Sequence, residues 1–151
     1  MSDLLDASVE AVKVAGSPDG PVPVLVLGVE DRRDVLPVFI AFEEAESIAR
    51  GLDAEDFGRP LTHDLTLDLV EELGGRVDHA VIRGVEEGTF VADLHVDTPR
   101  SSAVVDCRPS DAVALVSRTN APIKVAREVF EDAREPLANY ADFEDIREVA
   151  R

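Results

Sequence analysis

Cysteine is nearly absent. Cys107 stands alone in 151 residues, which excludes an internal disulfide and a cysteine-rich zinc site. It reads as a small apolar side chain. Lysine is almost as scarce: among 15 lysines and arginines only Lys13 and Lys124 are lysines. No apolar run approaches the ~20 residues of a membrane-spanning helix. The opening Met1-Ser2-Asp3-Leu4-Leu5-Asp6 carries acids where a secretory leader carries bases. A soluble, cytoplasmic chain with no membrane partner is therefore expected. A glycine-rich phosphate loop, a nucleophile elbow and paired metal-binding cysteines are also missing.

Acids are what the chain has most of. There are 32 against 15 bases, a formal net charge of −17, and they are scattered along the whole length. Scattered acids with few lysines suit a high-salt cytoplasm, a halophilic composition. At molar salt the Debye length is about 3 Å, so the charge no longer repels itself. The same charge opposes contact with nucleic acid, which normally selects a basic face. An enzyme acting on nucleic acid would need a local positive patch or bridging metal ions. The length is that of one domain, and 45% hydrophobic residues support a real core.

Residues 7–14 alternate loosely as a strand, and 22–29 form a second, joined through the turn Gly16-Ser17-Pro18-Asp19-Gly20. Leu36 to Phe42 is a third strand, and Pro37 points to an edge or a strand end. Glu43 to Leu52 is a helix with Ala45, Ile48, Ala49 and Leu52 on one buried stripe. After a loop from Asp53 to Gly58, a helix from Asp64 to Leu73 packs through Leu65, Leu69, Val70 and Leu73, with Thr62 as its N-cap. Strands follow at 76–85 and 89–96, joined by Glu86-Glu87-Gly88 as a three-residue hairpin loop. Ala80, Ile82, Phe90, Ala92 and Leu94 form their core face. A strand from Ser102 to Cys107 enters a helix of Ser110 to Arg118, capped by Ser110 or begun by Pro109. Ile123 to Val125 is a short strand and Ala126 to Ala133 a helix. The main domain spans 1–134. Residues 135–151 form an acidic tail, either mobile or a short helix through Leu137, Tyr140, Phe143, Ile146 and Val149.

Each half thus shows three strands and two helices, two β3α2 pseudo-repeats. The expected fold is α+β, one domain, with a mostly antiparallel curved or barrel-like sheet and helices outside it.

Two polar corners remain. One is Arg59-Pro60-Leu61-Thr62-His63-Asp64-Leu65, entering a helix. The other is Arg108-Pro109-Ser110-Asp111-Ala112, where a strand enters a helix. With Ala121-Pro122-Ile123, these motifs resemble in order and spacing those of the bifunctional nuclease family, from near Leu36 to about Ala133. The resemblance implies action on both DNA and RNA, and a curved sheet. Phosphodiester hydrolysis needs charge stabilisation at the phosphoryl oxygens, an activated water and often Mg²⁺ or Mn²⁺. Glu44, Asp64 and Asp111, each at a helix start, are candidate ligands for such a hard metal. His63 is a candidate ligand or base, because neither capping nor packing calls for histidine there. Ser110 shares the second corner, and Arg59 and Arg108 are candidate phosphate contacts. Pseudo-symmetry would bring Glu44 and Asp111 together.

Plainer roles stand beside these. Thr62 and Ser110 suit caps, Asp64 and Asp111 complement helix dipoles, and Arg108 can pair with either aspartate. A non-catalytic binding or scaffold module, its polar corners structural, is the alternative function. His79 and His95 are expected opposite each other on the face away from the core, as a polar surface, a subunit contact or a transition-metal pair with nearby aspartates. A homo-oligomer, first of all a dimer, is the expected assembly.

Overall fold

The computed structural model describes residues 3–53 and 58–149. The expected loop from Asp53 to Gly58 lies mostly outside the described residues, as does the Val149 side chain. The chain opens with three antiparallel strands, β1 (Leu4–Ala15), β2 (Val22–Val29) and β3 (Asp34–Phe39). Gly20 (φ +109°) closes the first turn, a conformation that costs glycine little. The helices α1 (Phe42–Asp53) and α2 (Thr62–Glu72) follow. A second antiparallel meander holds β4 (Arg76–Glu86), β5 (Thr89–Asp97) and β6 (Ser102–Cys107). Then come α3 (Pro109–Thr119), β7 (Ile123–Ala126) and α4 (Arg127–Ala133).

The strands of the described residues share one sheet, whose main path runs β6-β5-β4-β7-β1-β2-β3-β8, the last being the short strand β8 (Glu135–Pro136). β7 knits the two meanders together, parallel to β4 and antiparallel to β1. The architecture is a single-domain α+β fold around a mostly antiparallel sheet. That sheet is open, ending at β6 and β8.

The core lies between the sheet and helices α1 and α3. Leu25, Leu27, Leu36, Ile82 and Ala92 meet Ala45, Ile48, Ala112, Val113 and Val116, all fully buried. Val24 and Val26 face the other way, onto Tyr140. β2 is thus covered on both faces, which is why it reads as an unbroken apolar run. Pro37 pairs in register with Val26, while beyond it β8 reaches only Asp34 and Val35. The ladder on that side needs no N–H from Pro37.

Several local expectations are corrected. Leu52 is 41% exposed, so the α1 stripe ends at Ala49. Leu65 and Leu69 of α2 and its C-cap Leu73 are exposed; of the expected packing residues only Val70 touches the core, joined by Leu67. Thr62 is the first residue of α2, and Leu61 occupies the N-cap. Of the two expected starts of α3, the one with Pro109 at the first position stands, where its missing N–H costs nothing, while Arg108 and not Ser110 is the N-cap. The β4–β5 loop has two residues, Glu87 (φ 51°) and Gly88 (φ 78°), and Glu86 pairs with Thr89. That turn is one register step from expectation. An irregularity between Ile82 and Gly84 restores the step, so His79 still pairs with His95.

After α4 the chain forms β8 (Glu135–Pro136), a 3₁₀ turn (Leu137–Tyr140), β9 (Glu144–Asp145) and α5 (Ile146–Val149). β8 pairs with β3 and β9 with β1. Tyr140 is 5% and Ile146 1% exposed, so this segment packs down instead of forming one amphipathic helix.

Candidate functional site

α1, α2 and α3 each carry a carboxylate at the third helical position: Glu44, Asp64 and Asp111. An acid there can reach back to the N-cap amide. Two do so. Glu44 Oε1 accepts the Ala41 N–H at 2.8 Å, and Asp64 Oδ2 accepts the Leu61 N–H at 3.0 Å. Asp111 is spent differently. Its Oδ2 accepts Arg108 Nε–H at 2.9 Å, its Oδ1 accepts Arg108 Nη2–H at 3.2 Å, and His63 Nε2 lies 3.0 Å from Oδ1. Asp111 is thereby oriented by two other side chains, one of them the N-cap residue's own, and not by the backbone amide of its helix end.

The contacts continue in both directions. Arg108 Nη1 lies 3.3 Å from Glu44 Oε2, and the Ser110 hydroxyl donates to that same oxygen. On the far side, Ser47 Oγ lies 2.6 Å from His63 Nδ1. Arg118 donates to Ser47 Oγ at 3.2 Å, to the Ser47 carbonyl at 3.0 Å and to Asp64 Oδ1 at 2.7 Å. His63 is thus held between Ser47 on one side and Asp111 on the other. An ionised carboxylate only accepts, so the Nε2 that faces Asp111 carries a proton and donates. One chain of contacts therefore runs Asp64–Arg118–Ser47–His63–Asp111–Arg108–Glu44–Ser110, tying α1, α2 and α3 together.

Burial varies along this chain. Ser110 is 3% and Ser47 9% exposed, whereas the Arg108 side chain is 67% exposed. Arg108 is the member most open to solvent. Burial pushes the Asp111 carboxyl upward, but the hydrogen bonds from Arg108 and His63 and their charges outweigh it and hold it below its ordinary value. Asp64 is likewise held low, with Arg118 and the Leu61 amide outweighing burial. Asp111 and Glu44 raise Arg108 in return. Three carboxylates face two guanidinium groups, so the cluster is not a positive patch. Cys107 has its thiol pushed up to about 11, first by burial and then by Asp111 and neighbouring aspartates, which leaves little thiolate for nucleophilic work.

Of the residues singled out in the sequence, His63, Arg108, Ser110, Asp111 and Glu44 meet in one cluster. Asp64 joins only through Arg118 and does not share Arg108 with the other two acids. Arg59 is exposed and takes no part in these contacts. His79 and His95 lie on the other sheet face with rings stacked 4.1 Å apart, and Asp78 Oδ2 is 2.6 Å from His79 Nδ1.

A profile of the bifunctional nuclease domain matches residues 25–138. The chain belongs to the bifunctional nuclease domain family. Two uncharacterized proteins, from two strains of Mycobacterium tuberculosis, are each 40% identical over 111 residues, 74% of this chain and 66% of their own length. The match thus spans just under two thirds of those relatives. Bifunctional nuclease 2 of Oryza sativa subsp. japonica is 25% identical over 111 residues, 71% of this chain and 34% of its own.

Two members of the cluster in this bifunctional nuclease domain escape a reading of the sequence. Ser47 sits inside the apolar stripe of α1, where a small residue reads as packing. Arg118 reads as a last-turn complement to the helix dipole. A serine beside Ile48 was the available signal, but its partners lie 16 and 71 residues away, on other helices.

Proposed function

We propose that this domain hydrolyses phosphodiester bonds of DNA and RNA at the corner formed by Arg108 and Asp111. The observation that carries the reading is the release of Asp111 from helix capping. Its carboxylate is aimed by His63 and Arg108 next to an exposed guanidinium. Arg108 holds a substrate phosphate, with Arg59 as a more distant contact. Asp111 orients the attacking water, and His63, held from behind by Ser47, positions Asp111. Ser110 holds Glu44, while Asp64 and Arg118 brace the helices. Water oxygen bonds to phosphorus as the bond to the leaving ester oxygen breaks; that oxygen leaves with the bonding pair and takes a proton from solvent, to which the attacking water gives up its own. A low-lying Asp111 is a weak base, and the cluster has no positive excess, so a hard cation fits the site. Glu44 and Asp111 supply two carboxylates, the number Mg²⁺ commonly takes beside substrate phosphates. When bound, Mg²⁺ or Mn²⁺ would neutralise phosphoryl charge and ease deprotonation of water.

A second reading has its own observation: each side chain of the cluster already has a partner within the chain, and Arg108 bridges two carboxylates. A binding or scaffold module would need no more. One experiment separates the two. Wild type and Arg108→Ala are incubated with end-labelled DNA and RNA oligonucleotides in molar KCl, with Mn²⁺ or with EDTA, and melting temperatures are taken in parallel. The nuclease reading expects metal-dependent cleavage that Arg108→Ala loses at nearly unchanged melting temperature, because exposed ion pairs contribute only about 0–1 kcal/mol. No cleavage by wild type, with a loss of several degrees in Arg108→Ala, would decide for the scaffold.

The remaining features fit the same picture. The two meanders, each followed by a helix that brings an acid to Arg108, support an internal duplication. The scattered acids support a halophilic, cytoplasmic setting. The exposed leucines of α2 and the open edge of β6 are surfaces on which a homodimer could form.

A further inference from the structure

Beside the Arg108 corner opens a cavity of about 320 Å³. Its apolar wall holds Phe39, Ile40 and Phe90, and its polar side holds Glu44, Arg108 and Ser110. Phe39 ends β3 and is 58% exposed, the one aromatic side chain so exposed among the described residues. Nothing in the packing requires a ring there, since neighbouring Val38 already fills the core at 4% exposure. Arg108, at the polar side, is the solvent-facing cation of the cluster.

We infer that this cavity is a nucleobase subsite: Phe39 stacks on one base while Arg108 holds the phosphate attached to that nucleotide. The inference rests on the phosphodiesterase reading and adds the residue that grips the nucleotide. Three physical points carry it. The volume lies at the low end of the roughly 300–1,000 Å³ of small-ligand sites, room for one nucleotide unit and no more. An aromatic face takes any base by stacking, so the subsite needs no base-specific hydrogen bonds. The anionic end of the same ligand meets the one exposed guanidinium of the cluster, and that guanidinium already touches Asp111. The nucleotide held here is therefore the one beside the bond to be cut. Phe90 closes the wall from the β4–β5 hairpin, which makes the subsite a joint product of both meanders.

The test uses binding, not turnover. Adenosine 5′-monophosphate and ribose 5-phosphate are titrated calorimetrically into the full chain, in EDTA and molar KCl. The two probes share a phosphate and a sugar and differ by the base. The monophosphate should bind at least about tenfold more tightly, in line with what one stacked base contributes. Phe39→Ala should erase that difference and Phe39→Tyr should keep it. Because Phe39 is exposed, both variants should fold, which their melting curves check. Equal affinities for the two probes, no binding of either, or a preference untouched by Phe39→Ala would each overturn the subsite. The nuclease reading is judged apart from this: cleavage of oligonucleotides together with equal affinities for the two probes sinks the subsite alone. Tighter binding of the monophosphate without cleavage of oligonucleotides sustains the subsite and sinks the hydrolysis.

Discussion

Asp64 and Asp111 keep their charges because arginines and amide or imidazole donors outweigh burial at both. A carboxylate held below its ordinary value of 3.8 stabilises the fold fully above that value. The contribution is lost as pH falls through the lower folded value. Wild type should therefore lose melting temperature steeply below about pH 4, and Asp111→Asn should show a shallower acid limb. Parallel limbs in thermal scans across the acid range would show that Asp111 gains nothing from its partners. At this scale the sequence was partly legible. His63, Asp111 and Arg108 stand out because helix starts do not require that trio. Ser47 and Arg118 do not, since each has an ordinary local explanation and their meaning lies in a contact between distant helices.

The helices show how far periodicity carries. α1 buries Ala45, Ile48 and Ala49 as its spacing demands, but Leu52 of the same stripe is exposed. α2 departs more: its leucine stripe faces solvent, and Arg118 with Leu67 and Val70 ties it down. Periodicity names an apolar face, but it does not say whether another element covers it. Stability should follow burial and not pattern. Ile48→Ala should cost about 2–5 kcal/mol, whereas Leu69→Ala should stay within about 0.5 kcal/mol. Chemical denaturation of both variants checks this, and a large loss in Leu69→Ala would mean that α2 is covered after all. The strands were the most legible elements. β2 and β6 fall where alternation and turn residues put them. Even the His79–His95 pair survives a turn that differs by one residue, because an irregularity near Arg83 absorbs the step. The segment after α4 was the least legible, since its two-residue strands carry no period of their own.

For the molecule as a whole, the −17 charge and the family meet in one question. Self-repulsion acts across the domain when the Debye length is long, about 30 Å at 0.01 M, and fades at molar salt. Melting temperature should climb between about 0.05 M and about 2 M KCl. A flat profile would contradict the halophilic reading and would restore the charge as an objection to nucleic-acid contact. On the proposed reading that objection is met locally by a bound hard cation beside the exposed Arg108 guanidinium, since the cluster's own three carboxylates face only two guanidinium groups. The most direct test of that answer is the oligonucleotide cleavage rate of Asp111→Asn against wild type in molar KCl with Mn²⁺, melting temperatures matched. The account predicts a loss of roughly a hundredfold or more, the scale of removing one positioned catalytic group. A variant that folds and cleaves as fast as wild type would contradict it.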